Sequence, residues 1–310
     1  MQFISYDDAD SKLTWGETAD AIAAGHKLEK AEIGDLLLSK GDRSLLSRAA
    51  WIDGVGIALK SVTVCPENSG KIPPLPSVQG AMLIFDSRSG ALTSIVDGPL
   101  VTKWKTAGDS VLGARLLARP DAKSYLVVGA GTVAKSLLEA YRETFPGLET
   151  FTIWNRNSDR AKNLAKEMAL QGVTVNVADD LARAVANADI ISCATMAKEP
   201  VIFGSWVKPG THVDLIGAYR PDMREADDTL MKKARIFVDS RETTIGEIGE
   251  LIIPMDSGVI SENDVLGDFR DLCNGGTGRQ TSDEITLFKN GGGAHLDLMT
   301  GTMIVRKMKV

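Results

Sequence analysis

The hydrophobic pattern is clearest near the middle of the chain, where it changes period within a few residues. Tyr125 to Val128 is a short apolar run of β-forming residues, the pattern of a strand buried on both faces. Val133 to Tyr141 then repeats its apolar positions at helical spacing, with glycines in between. After it, Glu149 to Trp154, Val173 to Val177, Asp189 to Thr195, Thr211 to Gly217 and Ala234 to Asp239 read as further strands, and Leu181 to Asn187 as a short helix between two of them. Strands alternating with helices predict a doubly wound parallel sheet, an α/β Rossmann architecture.

The pattern before residue 120 is different. Residues 2–30 open with a short apolar piece and continue as a helix whose Ala19, Ile22 and Ala23 share a face. Residues 33–64 hold several apolar runs punctuated by glycine and charge, which predict strands. Residues 65–76 form a turn-rich loop, Gln79 to Asp86 a strand, Ser87 to Gly90 a hairpin turn and Ala91 to Val96 the returning strand. Short turns between neighbouring strands predict an antiparallel sheet, and hence a second, α+β domain. Thr102 to Ala118 reads as a helix that stops before Pro120. At the other end, Ile285 to Ala294 is an apolar strand running into glycines, and His295 to Val305 a returning helix.

Composition narrows the function. A chain of 310 residues has room for two cores, and a net charge of −6 argues against nucleic acid or an anionic membrane as partner. No stretch is long and apolar enough to span a bilayer, and the first residues do not resemble a signal peptide. Cys65, Cys193 and Cys273 are scattered, as free thiols of a cytoplasmic protein are, and His26, His212 and His295 show no metal-ligand spacing, so no metal is expected.

The chemistry concentrates in two places. Gly129, Gly131 and Ala134 form G-x-G-x-x-A between a strand and a helix, a seat for a pyrophosphate. The fingerprint assigns Gly129, Gly131, Thr132 and Val133 to a dinucleotide. The next strand ends in Asn155-Arg156-Asn157-Ser158, with no acid to take a ribose 2′-hydroxyl. Arg156 suits a 2′-phosphate, which favours NADPH, with NADH as the alternative. The second place is Lys60, inside an apolar strand, where an ammonium is costly unless something meets it or it faces solvent from an edge. Arg48 and Lys105 carry the same ambiguity. Lys103 and Lys105 cannot share one helix face, and three cations in this segment suit a substrate carboxylate.

These residues resemble the ornithine cyclodeaminase/mu-crystallin family. The resemblance rests on Lys60-Ser-Val-Thr-Val64, Pro76-Ser-Val-Gln-Gly80 with Phe85-Asp86 and Gly90, Thr102-x-x-x-Thr106-Ala107, Val128 to Ala134, and Ile153-Trp-Asn-Arg156. It continues through Glu199 to Val213, Gly217-Ala-Tyr-Arg-Pro-Asp-Met-Arg-Glu225 and Phe288-Lys289, the 199–225 block being similar to the ketimine reductase branch. It implies a nucleotide domain, 117–296, inserted into a substrate-binding and dimerisation domain, 1–116 with 297–310, and a homodimer. It implies Lys60 as the catalytic lysine, Gln79, Lys105, Tyr219 and Gly291 at the substrate, and Thr106, Asn155, Arg156, Asn157, Ala194, Thr195, Met196 and Asn290 at the cofactor. The family usually has an arginine where Lys105 stands, and its earlier carboxylate-binding arginine has no counterpart near Leu36, a place that Arg48 fills from a neighbouring position. The activity implied is NADPH-dependent reduction of small cyclic imino acids, such as pyrroline- or piperideine-2-carboxylate. The alternatives are a cyclodeaminase or amino-acid dehydrogenase, and a non-catalytic NADPH-dependent binder. Against a cyclodeaminase stands Tyr219, where those enzymes carry an aspartate.

Overall fold

A computed structural model describes residues 1–73 and 75–309. Pro74, in the expected loop 65–76, and Val310, in the expected segment 297–310, lie outside the described residues. The chain divides into two compact units, Met1–Gly108 with Gly293–Val310, and Asp109–Gly292. The boundaries expected from sequence, 116/117 and 296/297, fall near the end of the helix Gly98–Leu117 and inside the helix Ala294–Met308.

The first unit is built on a six-stranded sheet of β1 (Gln2–Ile4), β2 (Glu32–Lys40), β3 (Arg43–Ile52), β4 (Gly56–Val64), β5 (Val78–Phe85) and β6 (Leu92–Asp97), in the order β1-β6-β5-β4-β3-β2. From β2 to β6 each strand pairs antiparallel with the next, as the short turns predict. β1 joins β6 in parallel, a non-local pairing that three residues do not reveal in sequence. The helix Ala294–Met308 packs on β3 and β4 and against the helix Trp15–His26. Its small residues allow that approach: a Cβ on Gly301 would lie 2.7 Å from the sulfur of Met82.

The second unit holds an eight-stranded parallel sheet: β7 (Ser124–Val128), β8 (Thr150–Trp154), β9 (Asn176–Val177), β10 (Ile190–Cys193), β11 (His212–Leu215), β12 (Arg235–Val238), β13 (Val265–Gly267) and β14 (Thr286–Lys289). The order β13-β12-β14-β11-β10-β7-β8-β9 runs outward in both directions from β7 and β10. In such sheets ligands bind at the carboxyl ends of the strands, at the point where the order reverses. The expected Rossmann fold is therefore present.

Three details differ from the sequence reading. The strand expected over Val173–Val177 is only Asn176–Val177, because the Val173 amide closes the preceding helix onto Met168 O at 3.0 Å. β13 was not foreseen, being too short to show alternation. The helix expected from Thr102 begins at Gly98, with Pro99 in its first turn, where no backbone donor is needed.

Candidate functional site: two sets of residues, one in each unit

In the first unit the sheet register brings charges into one row. Arg48 on β3 lies opposite Asp35 on β2 and Lys60 on β4, and Lys60 lies opposite Met82 on β5. Directly opposed residues of antiparallel strands point to the same face. The Lys60 side chain is 7% exposed, and its Nζ donates to Asp297 Oδ1 at 2.6 Å, Asp297 being 2% exposed. Lys60 is thus not a solvent-facing edge residue. Burial pushes its pKa down, Asp297 opposes that, and Lys105 and Arg48 add to it, leaving a net lowering. For Asp297 burial acts upward, but Lys60 and Lys105 outweigh it and hold the carboxyl below its ordinary value. A buried ion pair adds little stability compared with apolar packing, because both ions must be stripped of water.

Around this pair, Lys105 is buried on the helix Gly98–Leu117. Arg48 donates through Nε and Nη2 to Asp35 at 2.8 and 2.7 Å, so its fork is shared with that carboxylate. His295 sits edge-on to His26, with ring centroids 5.4 Å apart. Burial, helped by His26, pushes the His295 pKa down to about 3, leaving a neutral imidazole. Gln79 is exposed and donates to Pro76 O at 3.3 Å. Thr106 lies on this unit's share of the helix Gly98–Leu117, whereas the other residues expected at the cofactor belong to the second unit.

In the second unit a cleft of about 890 Å³ opens at the carboxyl ends of β7, β8 and β10. Its lining includes Gly129, Gly131, Asn155, Arg156, Asn157, Ala194, Thr195 and Met196, eight of the residues expected at the cofactor. Gly129 has φ +119°, and a Cβ there would lie 2.5 Å from Ala194 O, so the turn requires glycine. A Cβ on Gly131 would meet nothing within 4 Å, which leaves room for a ligand. Gly131 caps the helix Thr132–Thr144 without a side-chain hydrogen bond, so the first amides, those of Thr132 and Val133 among them, begin a helix open to an anion. The next helix, Ser158–Leu170, is closed by its own cap. Asn157 Oδ1 accepts from the Asp159 and Arg160 amides at 3.1 and 3.3 Å. At the end of β8 the exposed Arg156 side chain lines the cleft. The cradle fits a dinucleotide pyrophosphate, and Arg156 offers a cation at the end of β8.

Two residues whose role the sequence does not mark hold the rim of this cleft. Glu225 Oε1 accepts from the Thr195 amide and hydroxyl, both at 2.7 Å, and Oε2 accepts from the Gly217 amide at 2.7 Å. One carboxylate thus ties the loop after β10 to the loop after β11. Glu250 in turn accepts from the Glu225 and Ala226 amides at 2.7 and 2.9 Å. Burial, with the Glu225 charge beside it, pushes the Glu250 pKa up to about 7, and burial does the same for Asp214. Asn290 and Gly291 follow β14. Lys289, fully buried, donates to Leu215 O and Asn290 O at 2.8 Å, and Asp239 accepts from the Gly291 amide at 2.9 Å. Tyr219, in the loop after β11, is 56% exposed.

Among the described residues no group of three or more His, Cys, Asp or Glu side chains is placed to hold a metal ion, and no helix is long and apolar enough to cross a membrane.

The fold and the cleft define a protein with a Rossmann unit whose glycine turn and open helix start suit a dinucleotide. The sequence profile of the ornithine cyclodeaminase/mu-crystallin family matches residues 47–309, and the chain belongs to that family. It is 54% identical over 310 residues to a Δ(1)-pyrroline-2-carboxylate reductase of Paracoccus denitrificans, covering 99% of this chain and 97% of that protein. It is 36% identical over 230 residues to the ketimine reductase mu-crystallin of Mus musculus, covering 74% and 70% of the two chains. Among solved structures, that of Thermococcus litoralis Δ(1)-pyrroline-2-carboxylate reductase with NADH and L-proline superposes with a TM-score of 0.91 at 29% identity, covering 100% and 98%. The family and fold expected from the residues are both borne out.

Proposed function

We propose that this protein reduces small cyclic imino acids with NADPH, converting Δ1-pyrroline-2-carboxylate to proline. The observation that carries this reading is the full-length similarity to a reductase of that substrate in a chain that keeps a buried ammonium, Lys60, paired with Asp297. Bound nicotinamide nucleotide supplies the hydride. The protein supplies orientation and a proton. Lys105 and Arg48 hold the substrate carboxylate by charge, Lys105 without the bidentate fork of an arginine. Lys60 donates a hydrogen bond to the imine nitrogen and a proton as the C=N bond becomes an amine. Gln79, Tyr219 and Gly291 line the substrate's side. Thr106, Thr132, Val133, Asn155, Asn157, Ala194, Thr195, Met196 and Asn290 join Gly129, Gly131 and Arg156 at the cofactor. Arg156 is the reason for placing NADPH before NADH.

A cyclodeaminase must manage a distal ammonium and its proton, and a carboxylate suits that work better than the phenol side chain of Tyr219. The test is NADPH oxidation with pyrroline- and piperideine-2-carboxylate, alongside ammonia release from ornithine with NAD. Imine reduction without ammonia release is expected, and ammonia release without imine reduction would overturn the reading. The working form is proposed to be a cytoplasmic homodimer. β2 is an edge strand whose Leu36, Leu37 and Leu38 are 53%, 62% and 53% exposed, an apolar edge of the kind that a second copy covers. Light scattering at micromolar concentration is expected to give twice the chain mass, and a monomer would contradict it.

A further inference from the structure

Asp297 lies 237 residues from Lys60 in the chain and 2.6 Å from it in the fold. An ammonium on a four-carbon stem does not hold one position unless something fixes it. Here the fixing group comes from the opposite layer, the helix Ala294–Met308 packed on β4. The other charged or titratable groups around the pair are Arg48 from β3, Lys105 from the helix Gly98–Leu117, His295 from the same helix as Asp297, and His26 from the helix Trp15–His26. Arg48 and Lys105 are cations, so Lys60 without Asp297 would be a buried ammonium among like charges. Asp297 Oδ2 is also buried, with no hydrogen-bond partner among the described residues, so the carboxylate keeps acceptor capacity beyond its bond to Lys60.

We propose that Asp297 is the positioning residue of Lys60, the counter-ion that fixes the ammonium where it meets the imine nitrogen. This rests on the assignment of Lys60 to the substrate. Such an acid needs no contact with substrate: it acts by keeping the lysine protonated in a dry site and by holding its Nζ in place. Loss of the charge and loss of the placement then have different consequences, which two substitutions separate.

The test uses the full chain with Asp297→Asn and Asp297→Glu. Lysines carry ¹³C at Cε, the Lys60 resonance is assigned through Lys60→Arg, and its titration is followed by NMR without substrate. In Asp297→Asn the Lys60 midpoint is expected to fall by about one to three pH units, the usual effect of removing an adjacent opposite charge. In Asp297→Glu the midpoint is expected to stay near that of the parent while kcat for Δ1-pyrroline-2-carboxylate falls at least about tenfold with KM little changed, the proton being present but misplaced. An unmoved midpoint in Asp297→Asn would overturn the proposal, as would parental kcat in Asp297→Glu. Should Asp297→Asn fail to fold, Asp297→Glu decides by the same criteria. If the parent protein leaves the imine untouched, the functional reading fails, while the NMR titrations still judge the pairing of Asp297 with Lys60.

Discussion

The surfaces proposed for ligands are built by opposite means in the two units. The Rossmann unit does it largely with backbone: a glycine turn that a Cβ would block at Gly129, an open helix start at Gly131, and loops held by Glu225. The sheet unit does it with buried side-chain charge, Lys60 against Asp297 with Lys105 nearby. Backbone recognition needs little desolvation and tolerates variation in side chains. Buried charge is costly, and survives only where its geometry is tightly held. The sheet unit is therefore where a single substitution should change chemistry most, and the Rossmann unit where it should change cofactor affinity and choice.

Lys60→Met is the severest way to break that contrast. It keeps an apolar stem and removes the charge, and the folded variant is expected to bind NADPH normally while kcat falls by about 10²- to 10⁴-fold, the usual worth of a general acid. Parental turnover would mean that buried charge in this unit serves something other than the reaction. Arg156→Ala sharpens the cofactor side. NADPH dissociation constants should rise about tenfold to a hundredfold, a charge-assisted contact being worth roughly 1.5–3 kcal/mol, and those for NADH by far less. Equal losses for both would remove Arg156 from the 2′-phosphate. Gly131→Ala asks whether the backbone cradle works as described. Nothing lies within 4 Å of the added methyl, so the melting temperature should hold while NADPH and NADH weaken together. An unchanged affinity for both would place the pyrophosphate elsewhere.

The smallest expected effect is on stability against pH. Glu250 has an ordinary value of 4.5 and is pushed up to about 7 in the fold, first by burial and then by the Glu225 charge. Between those values the native state binds more protons than the unfolded state, so stability falls as pH rises through the window. Asp214, raised from 3.8 to about 7, acts in the same direction. Thermal melts from pH 4.5 to 7 should show this decline, and Glu250→Gln should flatten part of it. An identical slope in the variant would mean that Glu250 is ionised throughout.

The same contrast explains what could be read from the residues alone. The Rossmann unit was legible because its signals are local: strand, glycines and helix lie consecutively in residues 124–141, and Arg156 follows at the next strand end. Lys60 was legible as a charge in an apolar strand. Its partner gave the same kind of signal, since Asp297 is an acid in a helix that is apolar on most sides, but neither residue indicates the other across 237 positions. Arg48 reads from sequence as a cation for a substrate carboxylate, while its bond to Asp35 depends on the register of β2 against β3. Glu225 stands within the 217–225 motif, but its role is not legible there, because its work is to accept from amides of two loops that only the fold brings together.

The most direct test of the central claim follows the hydrogen itself. NADPH carrying deuterium at both C4 positions is supplied with Δ1-pyrroline-2-carboxylate, and the proline formed is examined by mass spectrometry and NMR. Hydride transfer to the imine carbon predicts one deuterium on Cα for each NADPH oxidised. Proline without deuterium at Cα, or oxidation of the cofactor without proline, would contradict it.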